Sequence, residues 1–274
     1  MSGRYKQSAP IRSGPECGAF DRIDARVRHI ASSFNAGEMQ YPALIDRAVL
    51  VHAEYPEAFP HLLMSASHRC GRGNDTPAPD DASPDHALTD WCLSPAVCYH
   101  TYAQLAGSTI DRLAVFTARG RCFRLESDTA AGIPQIEFEM REIVFVGSRT
   151  AVEASVEHAR QMLEAVARDI GLLGHWDVAE DPFFLPQAAG KALMQRLMKT
   201  KVEYQALDAS RLALASVNRH GSFFGRRFDI TGSEGEPVHT ACLAVGLDRW
   251  WRHADVPEEP RRNDARAQMA CVTR

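Results

Sequence analysis

Apolar and polar residues alternate with a period of two through much of the region from about 87 to 255, and that period predicts strands. Strands are expected over 112–118, 120–126, 135–146, 201–207, 211–217 and 238–245. One segment breaks the rhythm. Over 150–170, Val152, Val156, Met162, Leu163, Val166 and Ile170 form an apolar stripe at helical spacing, behind a Thr150/Glu153 capping box. A second helix is expected over 187–199. Successive strands without regular βαβ alternation indicate an α+β fold, a mixed and largely antiparallel β-sheet flanked by helices.

The flanks read differently. Residues 1–16 are expected to be a flexible tail, and 20–66 a mixture of helix and irregular structure. GRGNDTPAPDDASPDH, residues 71–86, is rich in Gly, Pro and Asp and reads as an exposed loop. Residues 256–274 form a polar C-terminal tail, which leaves a single domain over 17–255.

The 274 residues suffice for a substantial core without disulfide staples. A net charge of −4 makes the chain a poor general polyanion binder. No apolar run approaches the ~18–20 residues of a membrane helix, and the N-terminus has no signal-peptide core, so a cytoplasmic protein is expected. The seven cysteines are odd in number, scattered and without a CxxC, unlike a secreted disulfide framework. In a reducing compartment they are free thiols or metal ligands.

Five places carry candidate chemistry. In QIEFEMREIVFV, residues 135–146, Glu142 falls in the row Ile136, Phe138, Met140, Glu142, Val144, Val146. A carboxylate there needs a cation, a metal or hydrogen bonds, unless a bulge turns it outward. Arg124 and Glu126 in CFRLE project to one side, either as an exposed charged face or as a phosphate grip beside a nucleotide-orienting carboxylate. Lys201, Glu203 and Gln205 share a strand face, either a cleft floor or a solvated edge. In HTACLAVGLDRW, small residues lead to Gly246 and then Arg249, which either reaches a phosphate or lies on the surface. Cys98 in LSPAVCYHTY is either a buried small hydrophobe or a ligand. Cys98, Glu142 and Cys242 are too far apart in sequence for a local zinc knuckle, so a metal site requires the fold to bring them together.

In this order the pieces resemble the catalytic core of class II aminoacyl-tRNA synthetases. FRLE is similar to that class's second motif and CLAVGLDRW to its third. Cys242 and Ala244 stand where the usual pattern has glycines, and Asp248 replaces a frequent Glu. Cys at the first of those positions is similar to the zinc-dependent seryl-tRNA synthetases of methanogen type. LSPAVCYHTY, CFRLES, MREIVFVG, DPFF, KVEYQ and ASVNRHGSFFG together resemble the small homologues of that subgroup, the amino acid:[carrier protein] ligases, across about residues 90–252.

The resemblance implies a definite chemistry. ATP, with Mg²⁺, would activate a small amino acid, glycine or alanine, as its adenylate. The aminoacyl group would then pass to the phosphopantetheine thiol of a carrier protein. Arg124 and Arg249 would be the catalytic cations. Glu126, Lys201, Ala215, Ser216, Val217 and Asn218 would join them in binding ATP. One Zn²⁺ on Cys98, Glu142 and Cys242 would hold the amino acid. No tRNA-binding arm is visible, so tRNA is not expected as a partner, and a homodimer is expected. The 187–199 helix, with Lys191, Arg196 and Lys199 in a chain of only four lysines, would dock an acidic carrier unless it simply packs on the core. The alternatives are an inactive paralogue that binds nucleotide or a partner protein, and a tRNA-directed aminoacylating or modifying enzyme.

Overall fold

The computed structural model describes residues 8–69, 86–125, 136–179, 200–208 and 211–254. In chain order its elements are α1 (Gly14–Ser32), β1 (Gly37–Met39), β2 (Leu44–Asp46), α2 (Arg47–His52), α3 (Tyr55–Ala58), β3 (Ser65–Arg69) and β4 (His86–Leu93). There follow α4 (Cys98–Gln104), β5 (Ala114–Phe123), β6 (Glu137–Gly147), α5 (Arg149–Asp169), β7 (Gly174–Val178) and β8 (Lys201–Ala206). The last are β9 (Ala213–Gly221), α6 (Phe223–Arg227), β10 (His239–Gly246) and α7 (Leu247–His253). A seven-stranded sheet runs β1-β5-β6-β10-β9-β8-β7. Every pair in it is antiparallel except β1 with β5. A smaller antiparallel sheet, β2-β4-β3, stands apart from it.

Because strand side chains alternate, the large sheet has two distinct faces. Val115, Ile143, Phe145, Ala215, Val217, Leu243 and Val245 point to one face and are buried there. Against them pack Phe20, Ile23, Val27 and Ile30 of α1 and Val152, Val156, Ala159, Leu163 and Ala167 of α5. Each large apolar side chain so buried stabilises the fold by roughly 1.5–3 kcal/mol. Trp250 of α7 is fully buried in the same cluster, and its indole N–H donates to the Leu214 carbonyl at 3.0 Å. The other face carries Phe138, Met140, Glu142, Val144, Cys242, Ala244, Ser216 and Asn218, and among the described residues the short helices α4 and α6 pack on it.

The helix-covered face also holds charges. Arg141 is buried and grips Asp24 of α1 bidentately, at 2.6 and 3.0 Å, and Glu38 of β1 at 2.8 Å. These bonds fix α1 and β1 onto β6.

Several expectations change in detail. In place of separate strands over 112–118 and 120–126 there is one continuous strand, β5, because the ladder with β6 runs unbroken from Ala114 to Phe123. Helix α5 is capped by Ser148, whose hydroxyl accepts from Ala151 N–H at 3.4 Å, and Thr150 already lies in the first turn. Residues 8–16 are not a loose tail. Ser8 bonds Glu137, Arg12 bonds Glu139 and Asp248, and α1 starts at Gly14 with the Glu16 carboxylate accepting from the Ser13 N–H and hydroxyl, each at 2.6 Å. The expected 187–199 helix, nearly all of the 71–86 loop and the 256–274 tail lie outside the described residues. Among the described residues, no helix is long and apolar enough to cross a membrane.

Candidate metal and nucleotide site

Glu142 lies on β6 opposite Ala118 of β5 and Ala244 of β10. Neither ladder of β6 shifts register, so no bulge turns Glu142 outward, and it is 2 % exposed. Cys242 sits two residues from Ala244 and therefore shares the face of Glu142. The third residue, Cys98, opens α4, which lies over this face beside Val144, Val146 and Cys242. The two Sγ atoms and a Glu142 carboxylate oxygen all fall within 4.8 Å of one another. Residues 44 and 100 positions apart in sequence thus reach one buried point (142 − 98 and 242 − 142).

The charges of this cluster are unbalanced as they stand. Burial pushes the Glu142 carboxyl up to about 8, and the neighbouring Cys242 thiolate adds to the rise. The Cys98 thiol is held well above its ordinary range by its bond to Cys242 and by burial. That same bond holds Cys242 well below the ordinary range, against burial, and His220 and Asn218 add to the effect. Glu142 Oε2 is buried without a hydrogen-bond partner, an orphan of the kind folded proteins rarely keep. A divalent cation would satisfy it and balance the charge of the Cys242 thiolate. Two sulfur donors and one carboxylate match zinc and leave a fourth tetrahedral position open. The donor set fits the metal that the resemblance implies.

Neighbouring groups fix these ligands. The Thr117 hydroxyl donates to the Glu142 carbonyl at 2.8 Å and accepts from Arg141 at 3.3 Å, so the ion pair on the helix-covered face also anchors the ligand's backbone. The Asn218 side-chain amide donates to Cys242 Sγ at 3.5 Å, and His220 Nε2 lies 4.0 Å from the same sulfur. The loop ahead of Cys98 is held at its Pro95 carbonyl by Arg124 Nε, at 2.9 Å. Arg124 also lies over the Phe138 ring, 5.2 Å from its centre.

The remaining expected residues divide. Asn218 stands opposite both Cys242 and Lys201, so the metal cluster, Asn218 and Lys201 form a continuous line across β10, β9 and β8. Lys201 pairs with Glu203 at 3.0 Å. Ser216 faces the same way, whereas Ala215 and Val217 turn their side chains into the helix-covered core. Only the backbone of those two could meet a ligand. Arg249, in the first turn of α7, donates from Nη1 to the Ala213 carbonyl at 2.8 Å, at the start of β9. Glu126, Lys191, Arg196 and Lys199 lie outside the described residues.

Sequence reasoning did not single out His220, Thr240, Tyr102 or Arg12. The first was within reach: the alternation that puts Ser216 and Asn218 on one face carries on to His220. Tyr102 and Arg12 meet their partners only through tertiary contacts and leave no local signal.

No family model matches the chain. Amino acid–[acyl-carrier-protein] ligase 2 of Bradyrhizobium diazoefficiens is 34% identical over 230 residues, covering 78% of this chain and 68% of that protein. Ligase 1 of the same organism is 33% identical over 223 residues, covering 77% and 68%. A type-2 serine–tRNA ligase of Methanocaldococcus jannaschii is 28% identical over 174 residues, 58% of this chain but 33% of that protein. Among solved structures, M. kandleri SerRS in complex with A. aeolicus tRNASec aligns with a TM-score of 0.72 at 16% identity, over 92% of this chain and 54% of that one. That likeness shows the class II synthetase fold. With identity above 30% over two thirds of a relative's length, the chain belongs to the amino acid–[acyl-carrier-protein] ligase family.

Proposed function

We propose that the protein activates glycine or alanine with ATP and transfers the aminoacyl group to the phosphopantetheine thiol of a carrier protein. In the first step a carboxylate oxygen of the amino acid attacks the α-phosphorus of ATP. The bond to the bridging oxygen breaks and pyrophosphate leaves. In the second, the carrier thiol gives up its proton to solvent and its sulfur attacks the acyl carbon, a thioester forms, and AMP departs with the bonding pair. Arg124 and Arg249 oppose the negative charge that builds on the phosphate oxygens, with Mg²⁺. Asn218 and Lys201 extend the floor on which the nucleotide rests, and Glu126 contacts its adenine end.

The observation that carries this reading is the meeting of Cys98, Glu142 and Cys242 on the same sheet face as Asn218 and Lys201. These three residues would hold Zn²⁺. When bound, the metal supplies an open Lewis-acid position for an unprotonated amino group, which fixes the carboxylate towards ATP. Ala118 and Ala244, opposite Glu142 on the adjoining strands, place only methyl groups beside it. The protein would work in the cytoplasm, where ATP is at hand and thiols stay reduced, as a two-fold dimer.

Amino-acid-dependent exchange of pyrophosphate into ATP, followed by loading of a phosphopantetheinylated carrier, tests the proposal. Glycine or alanine should support the strongest exchange, and the carrier should become labelled while tRNA does not. Exchange with serine but with neither smaller amino acid would overturn the substrate assignment. Labelling of tRNA in place of the carrier would favour the chemistry named for the type-2 serine–tRNA ligases. Absence of exchange with every amino acid would leave an inactive paralogue.

A further inference from the structure

We propose that His220 is a positioning residue of the metal centre: carried as its Nε2–H tautomer, it donates with Asn218 to the Cys242 thiolate and aims that sulfur at the metal. The inference rests on the zinc reading above and adds to it two residues that are not themselves ligands.

The geometry around the ring assigns its proton. His220 Nδ1 lies 3.2 Å from the Thr240 hydroxyl and 3.3 Å from the Tyr102 hydroxyl. Tyr102 is fully buried, and a phenol at neutral pH carries its proton and seeks an acceptor. Nδ1 and the Thr240 hydroxyl are the acceptors beside it; with Nδ1 accepting, from Tyr102 directly or from Thr240 in turn, the ring proton sits on Nε2, the nitrogen that faces Cys242 Sγ at 4.0 Å. From the neighbouring strand position, Asn218 Nδ2 reaches the same sulfur at 3.5 Å. A thiolate so placed has two donors on the protein side, which leaves its third lone pair for the point it shares with Glu142 and Cys98.

The ring cannot readily turn away. Phe224 meets it edge to face, with centres 4.9 Å apart, and is itself stacked on Tyr102 at 4.1 Å. The β9–β10 ladder shifts register here, between the pairs Thr240–Gly221 and Ala241–Arg219, and His220, the extra residue on β9, reaches both Thr240 and Cys242 of β10. Donors on a ligand sulfur draw charge from it and leave the metal more electron-poor, which suits a site that must take up an amine. Outer groups of this kind typically contribute 10–100-fold to metal affinity, with wide scatter.

The test compares full-length wild type with His220→Phe, which keeps the ring contacts and loses the N–H, and with His220→Gln, which restores a donor. Zinc affinity is measured by chelator competition, and the thiolate-to-metal charge-transfer band is recorded on the Co²⁺-loaded proteins. His220→Phe should bind zinc about 10–100-fold more weakly and move the band to longer wavelength. His220→Gln should recover most of both losses. Wild-type affinity and an unmoved band in His220→Phe would overturn the inference while leaving the zinc reading intact. A wild-type chain that takes up no zinc would overturn the zinc reading, and this inference with it. Should His220→Phe fail to fold, the imidazole ¹⁵N spectrum of zinc-loaded wild type decides. A protonated Nε2 with a bare Nδ1 supports the assignment, and the reverse overturns it.

Discussion

Arg12 bonds Asp248 at 2.5 Å and thereby ties the segment ahead of α1 to the first turn of α7, one residue before Arg249. Its second nitrogen meets Glu139, also at 2.5 Å, and the Glu139 N–H closes the ring by donating to the other Asp248 oxygen. Asp248 is buried, so removing its guanidinium partner strands a carboxylate in the interior. Arg12→Ala should cost about 3 kcal/mol of stability, read from urea unfolding. It should also raise the KM for ATP, because α7 carries Arg249. A stability loss below ~1 kcal/mol would mean that the pair behaves as an exposed one.

Arg124→Ala and Arg249→Ala should each reduce pyrophosphate exchange by about 100-fold or more, the usual cost of deleting a group aimed at transition-state charge. The two should differ in a second measurement. Arg124 holds the Pro95 carbonyl just ahead of Cys98, so its loss should also lower zinc retention on dialysis. Arg249 bonds the Ala213 carbonyl, away from the ligand loop, and its loss should leave zinc content unchanged.

The raised Glu142 carboxyl fixes the sign of a pH effect in the metal-free protein. The unfolded chain releases this proton near 4.5, whereas the folded chain keeps it up to about 8. Between these values the folded carboxyl holds the extra proton, so its contribution to stability is highest at the acid end of the window and falls as pH rises through it, while the Cys242 thiol, held well below its ordinary range, acts with the opposite sign. Zinc binding requires the ionised carboxylate, so saturating zinc should flatten the slope. Urea titrations at pH 5 and pH 8, with and without Zn²⁺, read both effects. Glu142→Gln, measured in parallel, isolates the carboxyl from the opposing Cys242 thiol: wild type should lose stability relative to this variant from pH 5 to pH 8, and a constant difference would contradict the burial of a protonated Glu142.

Much of this arrangement is legible in the sequence, for physical reasons that differ by element. Strands β6 and β10 are buried on both faces or beside a site, so their patterns are strong, and Glu142 stands out as a charge in an apolar row. Helix α5 lies on the core and shows its stripe plainly. The three-residue strands β1 and β2 are too short to register a period, and β4 carries the exposed Leu88 and Trp91, which blur its alternation. The α1 segment is mostly polar, with Arg and Asp at frequent intervals, and its buried Asp24 makes sense only once Arg141 is placed beside it. The meeting of Cys98 with Cys242 depends on the loop at 94–97, and no spacing rule reports a contact of that range.

Carrier docking provides a fourth test. Reversing Lys191, Arg196 and Lys199 to Glu should weaken loading of an acidic carrier and reduce its dependence on salt, while adenylate formation stays near wild type. Unchanged loading by the triple variant would remove the 187–199 segment as the docking surface.

The alternation along β6 divides tolerance to change between neighbouring residues. Arg141, Ile143 and Phe145 meet helices and ion partners; Glu142 meets the two cysteines, between Met140 and Val144, which pack in smaller apolar clusters on that face. A substitution scan of this strand, scored once for soluble yield and once for turnover, should therefore give two interleaved combs. Positions 141, 143 and 145 should lose protein, whereas position 142 should lose chemistry while the chain still folds. Changes in substrate choice should then be sought at Ala244, which faces Glu142 across the β6–β10 ladder and is 8 % exposed, rather than at Ala118, which is fully packed among apolar neighbours.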